Sequence, residues 1–318
     1  MHIEKRKVGK SIKYYLAHSY REGKEVHKFR KYLGQDLKKK KLEERKGIAE
    51  KLILEEIHKY KLISDPLEFE LSKEKIEQIR LLEAKIPLKI HHLSEKDWTL
   101  FSELFTYNTN AIEGSKLELK EVKGILEKDK WPEKSKEDIA ETYGVDEAIL
   151  FIRNTKEHIS VDLIQTIHKI IFKNSKDFAG KLRKKGENVV VIDSKGNVVH
   201  EGAPQERIHH LLNCLIKWYN KNKNKYPAFV LAAVVHNQFE NIHPFKDGNG
   251  RVGRVLLNNI LLKHGLPPIN IEFEKRVEYY ASLQAYEKEK DLTPTINLYL
   301  KEYEALKKRL NTKEEKYI

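Results

Sequence analysis

The sequence predicts a mainly α-helical protein that has a small β unit at its N-terminus and a single β-hairpin in its second half. Apolar residues recur every three or four positions over most of the chain, which is the period of an amphipathic helix. Proline, glycine and capping residues lie where such helices would begin or end. Two valine-rich runs at 188–200 interrupt this pattern. We therefore expect a helical bundle with one hairpin, preceded by a β and helical extension.

Composition describes a folded, highly charged protein. The chain has 318 residues, 40% of them hydrophobic and 34% charged, and a net charge of +13. Charges are spread along the whole length, which argues against disorder, and the positive sign favours an acidic partner. One cysteine cannot form an internal disulfide. The chain has no apolar run of about 18 residues and no apolar signal-peptide core, so we expect a cytoplasmic protein with no membrane partner.

Residues 1–35 are predicted to form a small basic β unit. Segments 14–16 and 26–33 read as strands around a turn-rich 21–24, and Gly34 closes the second strand. Its tyrosines and cations are compatible with binding nucleic acid or an acidic protein. Alternatively, this is a small sheet that packs on the rest of the protein or on a second subunit, which leaves a homodimer open. The side chains concerned are Tyr14, Tyr15, Tyr20, Arg21, Lys28, Arg30, Lys31 and Tyr32.

Residues 36–90 are predicted to be a helical extension or linker, and 91–312 a helical domain. Helices at 36–62 and 71–85 are ended by Pro66 and Pro87. Ser94 followed by Asp97 has the pattern of a capping box at the start of the domain. Further helices are predicted at 118–128, 136–154, 161–174, 205–221, 227–240, 249–264, 275–287 and 294–310.

The exception within the helical domain is the segment 188–200. Two β-branched runs flank Asp193-Ser-Lys-Gly-Asn197, a sequence typical of a turn between two strands. A hairpin that stands alone among helices suggests a functional role.

The densest concentration of chemically useful residues is the segment 243–254. Gly248 and Gly250 allow backbone N–H groups to point into one concavity at a helix N-terminus, which is an anion-binding arrangement. Arg251 and Arg254 lie three residues apart on the first helical turn and can reach one polyphosphate. In the same segment Asp247 is a hard oxygen ligand suited to Mg²⁺, and His243 is a candidate general base. A plain turn with a capping aspartate and solvated arginines would explain each residue separately, but it does not explain the set.

This segment, His243-Pro-Phe-Lys-Asp-Gly-Asn-Gly-Arg-Val-Gly-Arg254, resembles the signature of the Fic family, His-x-Phe-x-(Asp/Glu)-Gly-Asn-Gly-Arg-x-x-Arg, at every fixed position. The resemblance covers roughly residues 95–305 and implies a Fic-type helical bundle that transfers AMP from ATP to a hydroxyl group of a protein. It implies that His243 is the base and that Phe245 anchors the loop. Phosphate binding is implied for Gly248, Asn249, Gly250, Arg251 and Arg254, and Mg²⁺ binding for Asp247.

Two further segments resemble parts of the same family. Ala179-Gly-Lys-Leu-Arg183 and the hairpin after it resemble the family's flap, whose strand pairs with the target protein; this implies target docking by Val189, Val190, Val191 and Ile192. The segment 279–283 resembles the helix that lines the adenine pocket and makes Tyr280 and Leu283 the candidate base contacts, with ordinary helix core as the alternative. Several relatives have asparagine where this chain has Glu287. Gly250 stands where the Doc kinase branch has lysine, so phosphorylation is the weaker alternative.

A third resemblance concerns regulation. Thr109-Asn-Ala-Ile-Glu-Gly114 matches the family's inhibitory pattern, (Ser/Thr)-x-x-x-Glu-(Gly/Asn). A carboxylate at Glu113 that paired with Arg254 would occupy the place of the γ-phosphate. A solvated glutamate at a helix end is the alternative.

Together these patterns favour an autoinhibited enzyme that transfers AMP from ATP to Ser, Thr or Tyr of a protein target, itself included. Removal of AMP by the same site is one alternative. The other is a non-catalytic regulator that binds nucleic acid and keeps a vestigial Fic site.

Overall fold

The computed structural model describes residues 1–22, 25–64, 72–84, 86, 90, 93–184, 186, 187, 189–192, 198–289 and 291–314. The chain divides into two compact units, 1–65 and 66–318. The segment 36–90 is therefore divided between them, since its first helix belongs to the N-terminal unit and its second to the C-terminal unit.

The N-terminal unit is a three-stranded antiparallel sheet with one helix. Strands β1 (His2–Val8), β2 (Ser11–Glu22) and β3 (Glu25–Gln35) pair in chain order, and helix α1 spans Lys39–Ser64. The helix covers one face of the sheet. Its core consists of Leu16, Leu33, Ala49, Ile53 and Ile57.

Strand β1 was absent from the sequence prediction. Its seven residues are mostly charged and exposed, and only Ile3 packs against the core of the unit. Register places Ile3 opposite Leu16, so backbone pairing with β2 holds the strand. A weak apolar pattern combined with strong backbone pairing explains why periodicity did not reveal it.

The C-terminal unit is helical, as predicted. Helix α3 (Glu95–Ile112) begins with the expected capping box, in which the Ser94 side chain accepts a hydrogen bond from the Asp97 N–H and the Asp97 side chain accepts one from the Ser94 N–H. The helices are α2 (Lys73–Ala84), α3 (Glu95–Ile112), α4 (Leu119–Lys128), α5 (Lys136–Asn154), α6 (Val161–Phe172), α7 (Ile208–Asn222), α8 (Ala228–Ile242), α9 (Asn249–Lys263), α10 (Arg276–Glu289) and α11 (Thr293–Glu314).

Two buried helices form the centre of this unit. Nearly every residue of α8 and α9 is buried, and the two helices pack against each other. The loop between them, residues 243–248, is the segment that carries the chemically useful side chains. No helix in the described ranges combines the length and apolar character needed to cross a bilayer.

The predicted hairpin is present between α6 and α7. Strands β4 (Val190–Ile192) and β5 (Val198–Glu201) pair antiparallel, with Val191 opposite His200. The Gly202 N–H extends the pairing by donating to the Val189 carbonyl at 3.0 Å. The turn at 193–197 lies outside the described residues. We call the hairpin of β4 and β5 the flap.

Close contact between α5 and α6 gives a stability prediction. A Cβ atom at Gly144 would lie 2.2 Å from the Ile171 carbonyl oxygen, which is backbone and cannot turn aside. We expect Gly144→Ala to lower the free energy of unfolding by about 1–3 kcal/mol, as overpacking does. The matched control is Gly124→Ala in α4, where the nearest atom is 3.8 Å away and helix propensity favours alanine by about 0.5–1 kcal/mol. Denaturant unfolding of the full chain measures both, and a Gly144→Ala protein as stable as wild type would contradict the prediction.

Candidate active site

The 243–248 loop is shaped by its own backbone and by one asparagine. His243 and Gly248 have positive φ angles of 51° and 81°, which reverse the chain at the two ends of the loop. Asn249 accepts from the Phe245 N–H at 2.8 Å and donates to the Phe245 carbonyl at 2.9 Å. These two bonds use its amide, so Asn249 braces the loop. A side chain at Gly248 would also collide with Phe172, 2.2 Å from the added Cβ.

Phe245 and His168 form the floor of this loop. Phe245 is fully buried and stacks on the His168 ring with centroids 3.9 Å apart. His168 accepts from the Gly180 N–H at Nδ1 (2.8 Å) and donates from Nε2 to the Asp247 carbonyl (3.1 Å). Burial lowers the pKa of His168 to about 4. A neutral His168 with one accepting and one donating nitrogen therefore connects the loop to the segment before the flap.

Arg183 holds the loop and the flap together. Its guanidinium donates to the carbonyls of His243 (2.8 Å), Glu187 (2.9 Å) and Ala203 (2.8 Å), and its side chain is almost fully buried. Its own N–H donates to the Pro244 carbonyl at 3.0 Å. The sequence prediction placed Arg183 in the flap motif without a role; the structure makes it the cation that joins both ends of the flap to the 243–248 loop.

The structure constrains the imidazole ring of the candidate base His243. Its Nδ1 lies 3.2 Å from the Glu240 carbonyl oxygen, so Nδ1 carries the proton and Nε2 keeps a lone pair. Burial, assisted by the nearby His200, lowers the pKa of His243 to about 4. At neutral pH the imidazole is therefore uncharged and able to accept a proton.

The other end of the site is closed by Thr109, Glu113 and Arg254. Arg254 is almost fully buried and donates from Nε to the Thr109 hydroxyl at 2.7 Å and from Nη2 to Glu113 Oε1 at 2.7 Å. The same carboxylate oxygen would lie 2.2 Å from a Cβ at Gly250, so Glu113 occupies the space directly above this glycine. Tyr279, which the sequence analysis did not single out, contributes its hydroxyl 3.4 Å from Arg254 Nη1.

Arg251 points to a different partner. It is buried, its guanidinium lies over the Phe172 ring at 4.5 Å, and it forms an ion pair with Glu141 of α5. Each of the two arginines of the segment thus forms an ion pair with a glutamate that is distant in sequence, Arg251 with Glu141 and Arg254 with Glu113.

Asp247 lies at the exposed rim of the loop. Its Oδ1 accepts from the Gly248 N–H at 2.7 Å, and Oδ2 lies 3.6 Å from Lys176 Nζ. The described residues contain no group of three His, Cys, Asp or Glu side chains that could hold a metal by themselves. A single exposed carboxylate suits Mg²⁺ only when substrate phosphates and water supply the remaining ligands.

The remaining predicted residues lie in two places. Tyr280 is 41% exposed with its hydroxyl 3.4 Å from the Ile112 carbonyl, whereas Leu283 packs with Tyr279 in a core cluster. Val189 is half-buried at the start of the flap. The predicted docking contacts of the β4 side chains, Val190, Val191 and Ile192, lie outside what the structure describes.

Glu240 is a buried acid that sequence reasoning missed. Its Oε1 atom has no hydrogen-bond partner among the described residues and would lie 2.2 Å from a Cβ at Gly253. Burial raises the pKa of Glu240 to about 8; Arg254 opposes this shift and Glu113 adds to it. The carboxyl group is therefore protonated in the folded protein at neutral pH.

This assignment predicts a pH-dependent stability difference. The unfolded chain releases the Glu240 proton near the ordinary value of 4.5, but the folded protein keeps it until about 8. The free energy of unfolding should therefore fall as pH rises between these values. We expect Glu240→Gln to gain stability over wild type as pH rises from 5 to 8, by up to a few kcal/mol. Denaturant unfolding at both pH values measures this, with the exposed Glu206→Gln as control; an equal difference at both pH values would refute it.

Together, fold and site define a class of protein. It is an α-helical domain in which a glycine turn at a helix N-terminus lies next to the buried Arg254, with a histidine at the other end of the loop and a hairpin beside that histidine. Comparison with known proteins agrees with this class.

Residues 158–261 match the model of the Fic/DOC family. The chain is 35% identical to protein adenylyltransferase fic-1 of Caenorhabditis briggsae over 64% of this chain and 40% of that protein. It is 34% identical to protein adenylyltransferase Fic of Nematostella vectensis over 56% of this chain and 41% of that protein. The chain thus spans about two fifths of the length of these curated relatives.

A solved structure of Fic-1 (residues 134–508) from C. elegans covers 88% of this chain and 80% of its own chain, with 26% identity and a TM-score of 0.62. By the family match, the segment 158–261 is a Fic/DOC domain.

Proposed function

We propose that this protein is a protein adenylyltransferase that transfers AMP from ATP to a Ser, Thr or Tyr hydroxyl of a protein, itself included. The observation that carries the proposal is the position of His243, whose Nδ1 lies 3.2 Å from the Glu240 carbonyl oxygen, at one end of the loop that ends in the glycine turn at Gly248–Gly250. The curated relatives are named protein adenylyltransferases, which supports the same activity.

The reaction needs one proton acceptor and one site that binds the phosphates of ATP. His243 Nε2 takes the proton of the target hydroxyl while the hydroxyl oxygen bonds to the α-phosphorus. The bond from that phosphorus to its bridging oxygen breaks, and pyrophosphate leaves. Backbone N–H groups of Asn249 and Gly250 at the N-terminus of α9 would stabilise the phosphates, because the Gly248 N–H already donates to Asp247. Arg254 would contact the β- and γ-phosphates, and Arg251 would join it only after leaving Glu141. Asn249 contributes by bracing the loop.

A metal ion has one protein ligand in this proposal. Asp247 would hold Mg²⁺ at the rim of the loop, where phosphate oxygens and water complete the coordination, and the ion would neutralise phosphate charge. Lys176 lies close enough to Asp247 Oδ2 to compete for it.

Target and nucleotide enter from different sides. Strand β4 of the flap would pair with an extended segment of the target, which brings a hydroxyl toward His243. Tyr280, whose ring is half-exposed on α10, is the better placed of the two candidate adenine contacts, because Leu283 packs in the core.

Glu113 is proposed as a built-in inhibitor. Its carboxylate neutralises Arg254 and fills the space above Gly250, so the γ-phosphate of ATP cannot take its productive position. The same oxygen could orient water against an AMP-modified hydroxyl, which makes removal of AMP the alternative activity of one site.

Intact mass of the purified Glu113→Gly chain after incubation with ATP and Mg²⁺ tests the proposal. A gain of one AMP mass supports adenylyl transfer; a phosphate-sized gain would replace it with phosphorylation. No gain, together with loss of AMP from a pre-modified protein, would favour the reverse reaction. No change in either assay would favour a vestigial site.

A second candidate function belongs to the N-terminal unit. On the sheet face opposite α1, the guanidinium groups of Arg6 and Arg30 lie over the Tyr15 ring at 5.4 and 6.0 Å, and Tyr32 packs beside it at 5.3 Å. We infer that this aromatic, basic face binds the phosphate backbone of nucleic acid.

Fluorescence anisotropy of the full chain with labelled duplex and single-stranded DNA tests this inference. We expect affinity that falls with salt and that is reduced several-fold in the Arg6→Ala/Arg30→Ala variant. The control is Lys51→Ala, an exposed lysine on α1. Equal affinities for both variants and wild type would rule out this face.

A further inference from the structure

A second histidine lies next to the proposed base. His200, on strand β5 of the flap, has its ring centroid 5.8 Å from that of His243, at an interplanar angle of 51°. Its side chain is only 14% exposed. Its Nε2 atom is buried and has no hydrogen-bond partner among the described residues.

The other ring nitrogen of His200 is fixed by a carboxylate from a different element. His200 Nδ1 lies 3.0 Å from Glu287 Oε1, on helix α10. Glu287 follows Tyr280 and Leu283 at helical spacings of seven and four, so all three share one face of α10. The pair therefore joins the flap to the helix that carries the candidate adenine contacts.

We propose, on the basis of the adenylyltransferase function, that His200 is a positioning residue for the base His243. Glu287 fixes the His200 ring so that Nε2 of His200 faces the reacting groups. The carboxylate favours a proton on Nδ1 of His200. The His200 ring lies against the His243 ring, so a His200 ring held by Glu287 limits how the His243 ring can turn. A positive charge on His200 also opposes a positive charge on His243. The Glu287 side chain thus acts on the base through His200.

The groups that shift the pKa of His243 are few and come from several elements. Burial is the main cause of its lowered pKa, and His200 is the next. Arg183 acts in the same direction, while the Glu240 carbonyl and Glu113 oppose it. Among these groups, His200 is the one that can be changed without altering the hydrogen bonds that hold the 243–248 loop, the proposed inhibitory carboxylate or the proposed phosphate-binding residues.

The decisive measurement is the NMR titration of the His243 ring proton in the full chain, assigned by its absence from the His243→Ala spectrum. We expect its titration midpoint to rise in His200→Gln by at least about half a pH unit, which is the Coulomb energy at this separation in a water-like dielectric and therefore the minimum for two largely buried rings. His209→Gln, an exposed histidine of α7, is the matched control and should leave the midpoint unchanged. An unchanged midpoint in His200→Gln overturns the proposal.

Kinetics in the Glu113→Gly background supply the second test. We expect kcat to fall about three- to tenfold in His200→Gln and in Glu287→Ala, the size of one hydrogen bond. Glu287→Gln, whose amide oxygen can still accept from Nδ1, should restore most of the rate. The kcat of the double variant His200→Gln/Glu287→Ala should be no lower than that of either single variant, because the two residues act as one unit. Additive losses of kcat would overturn the coupling. A shifted His243 midpoint in a protein that transfers no AMP would keep the positioning role and reject the adenylyltransferase proposal instead.

Discussion

Glu113→Gly is expected to raise the initial rate of self-modification by about tenfold to a hundredfold at sub-saturating ATP. One guanidinium nitrogen of Arg254 donates to Glu113 at 2.7 Å; in the proposed function, ATP would have to break this bond before its γ-phosphate could bind. A hydrogen bond to a charged group contributes about 1.5–3 kcal/mol, which corresponds to that range of affinity. Removal of the side chain also opens the space above Gly250.

The measurement is the rate of AMP incorporation and the Kd for ATP in the same protein. Arg254 keeps its bonds to Thr109 in the variant, so it should stay in place to meet the phosphate. Glu133→Gly is the matched control, since this exposed glutamate is remote in sequence from the inhibitory segment. Rate and affinity equal to those of wild type in Glu113→Gly would mean that the carboxylate does not inhibit.

His243→Ala, placed in the Glu113→Gly background, is expected to reduce kcat by about 10²–10⁴-fold, the range that general base catalysis supplies. Affinity for ATP should change little, because the proposed function assigns phosphate binding to the loop backbone and the arginines and not to His243. The exposed His209→Ala serves as control. Substantial activity in His243→Ala would mean that another residue of the site is the base.

The pH profile distinguishes this base from an ordinary surface histidine. Because burial lowers the pKa of His243 to about 4, the imidazole is already unprotonated well below neutrality. The rate of the Glu113→Gly protein should therefore rise with pH through this region and be flat between pH 6 and 8. A rate that rose through pH 6.5, the ordinary value for histidine, would contradict the buried environment.

The parts of the site that lie close together in sequence were predictable. A base, two glycines, two arginines and an acid within twelve positions indicate an anion-binding loop before any fold is known. The segment Thr109–Gly114 was singled out by its resemblance to a family pattern, and its inhibitory role stays a prediction. The structure brings Thr109 and Glu113 to Arg254 across more than 140 positions.

The missing parts depend on contacts between distant segments. Arg183 meets the His243 carbonyl from 60 positions away, and His168 meets Asp247 from 79. Nothing in the local pattern around Glu240 or His200 marks either as buried beside the site. Their roles follow from burial and geometry, which a single sequence does not contain.

Arg183 also has a consequence for how the protein moves. One guanidinium bonds the carbonyls on both sides of the flap and the carbonyl of the base itself, so the flap cannot detach at its root without also releasing the histidine. Native-state hydrogen exchange should then show the amides of Arg183, Gly202 and Ala203 opening together with the amide of His243, as one cooperative unit. Target pairing and proton transfer, the steps proposed for the flap and for His243, would then be lost in the same local unfolding event.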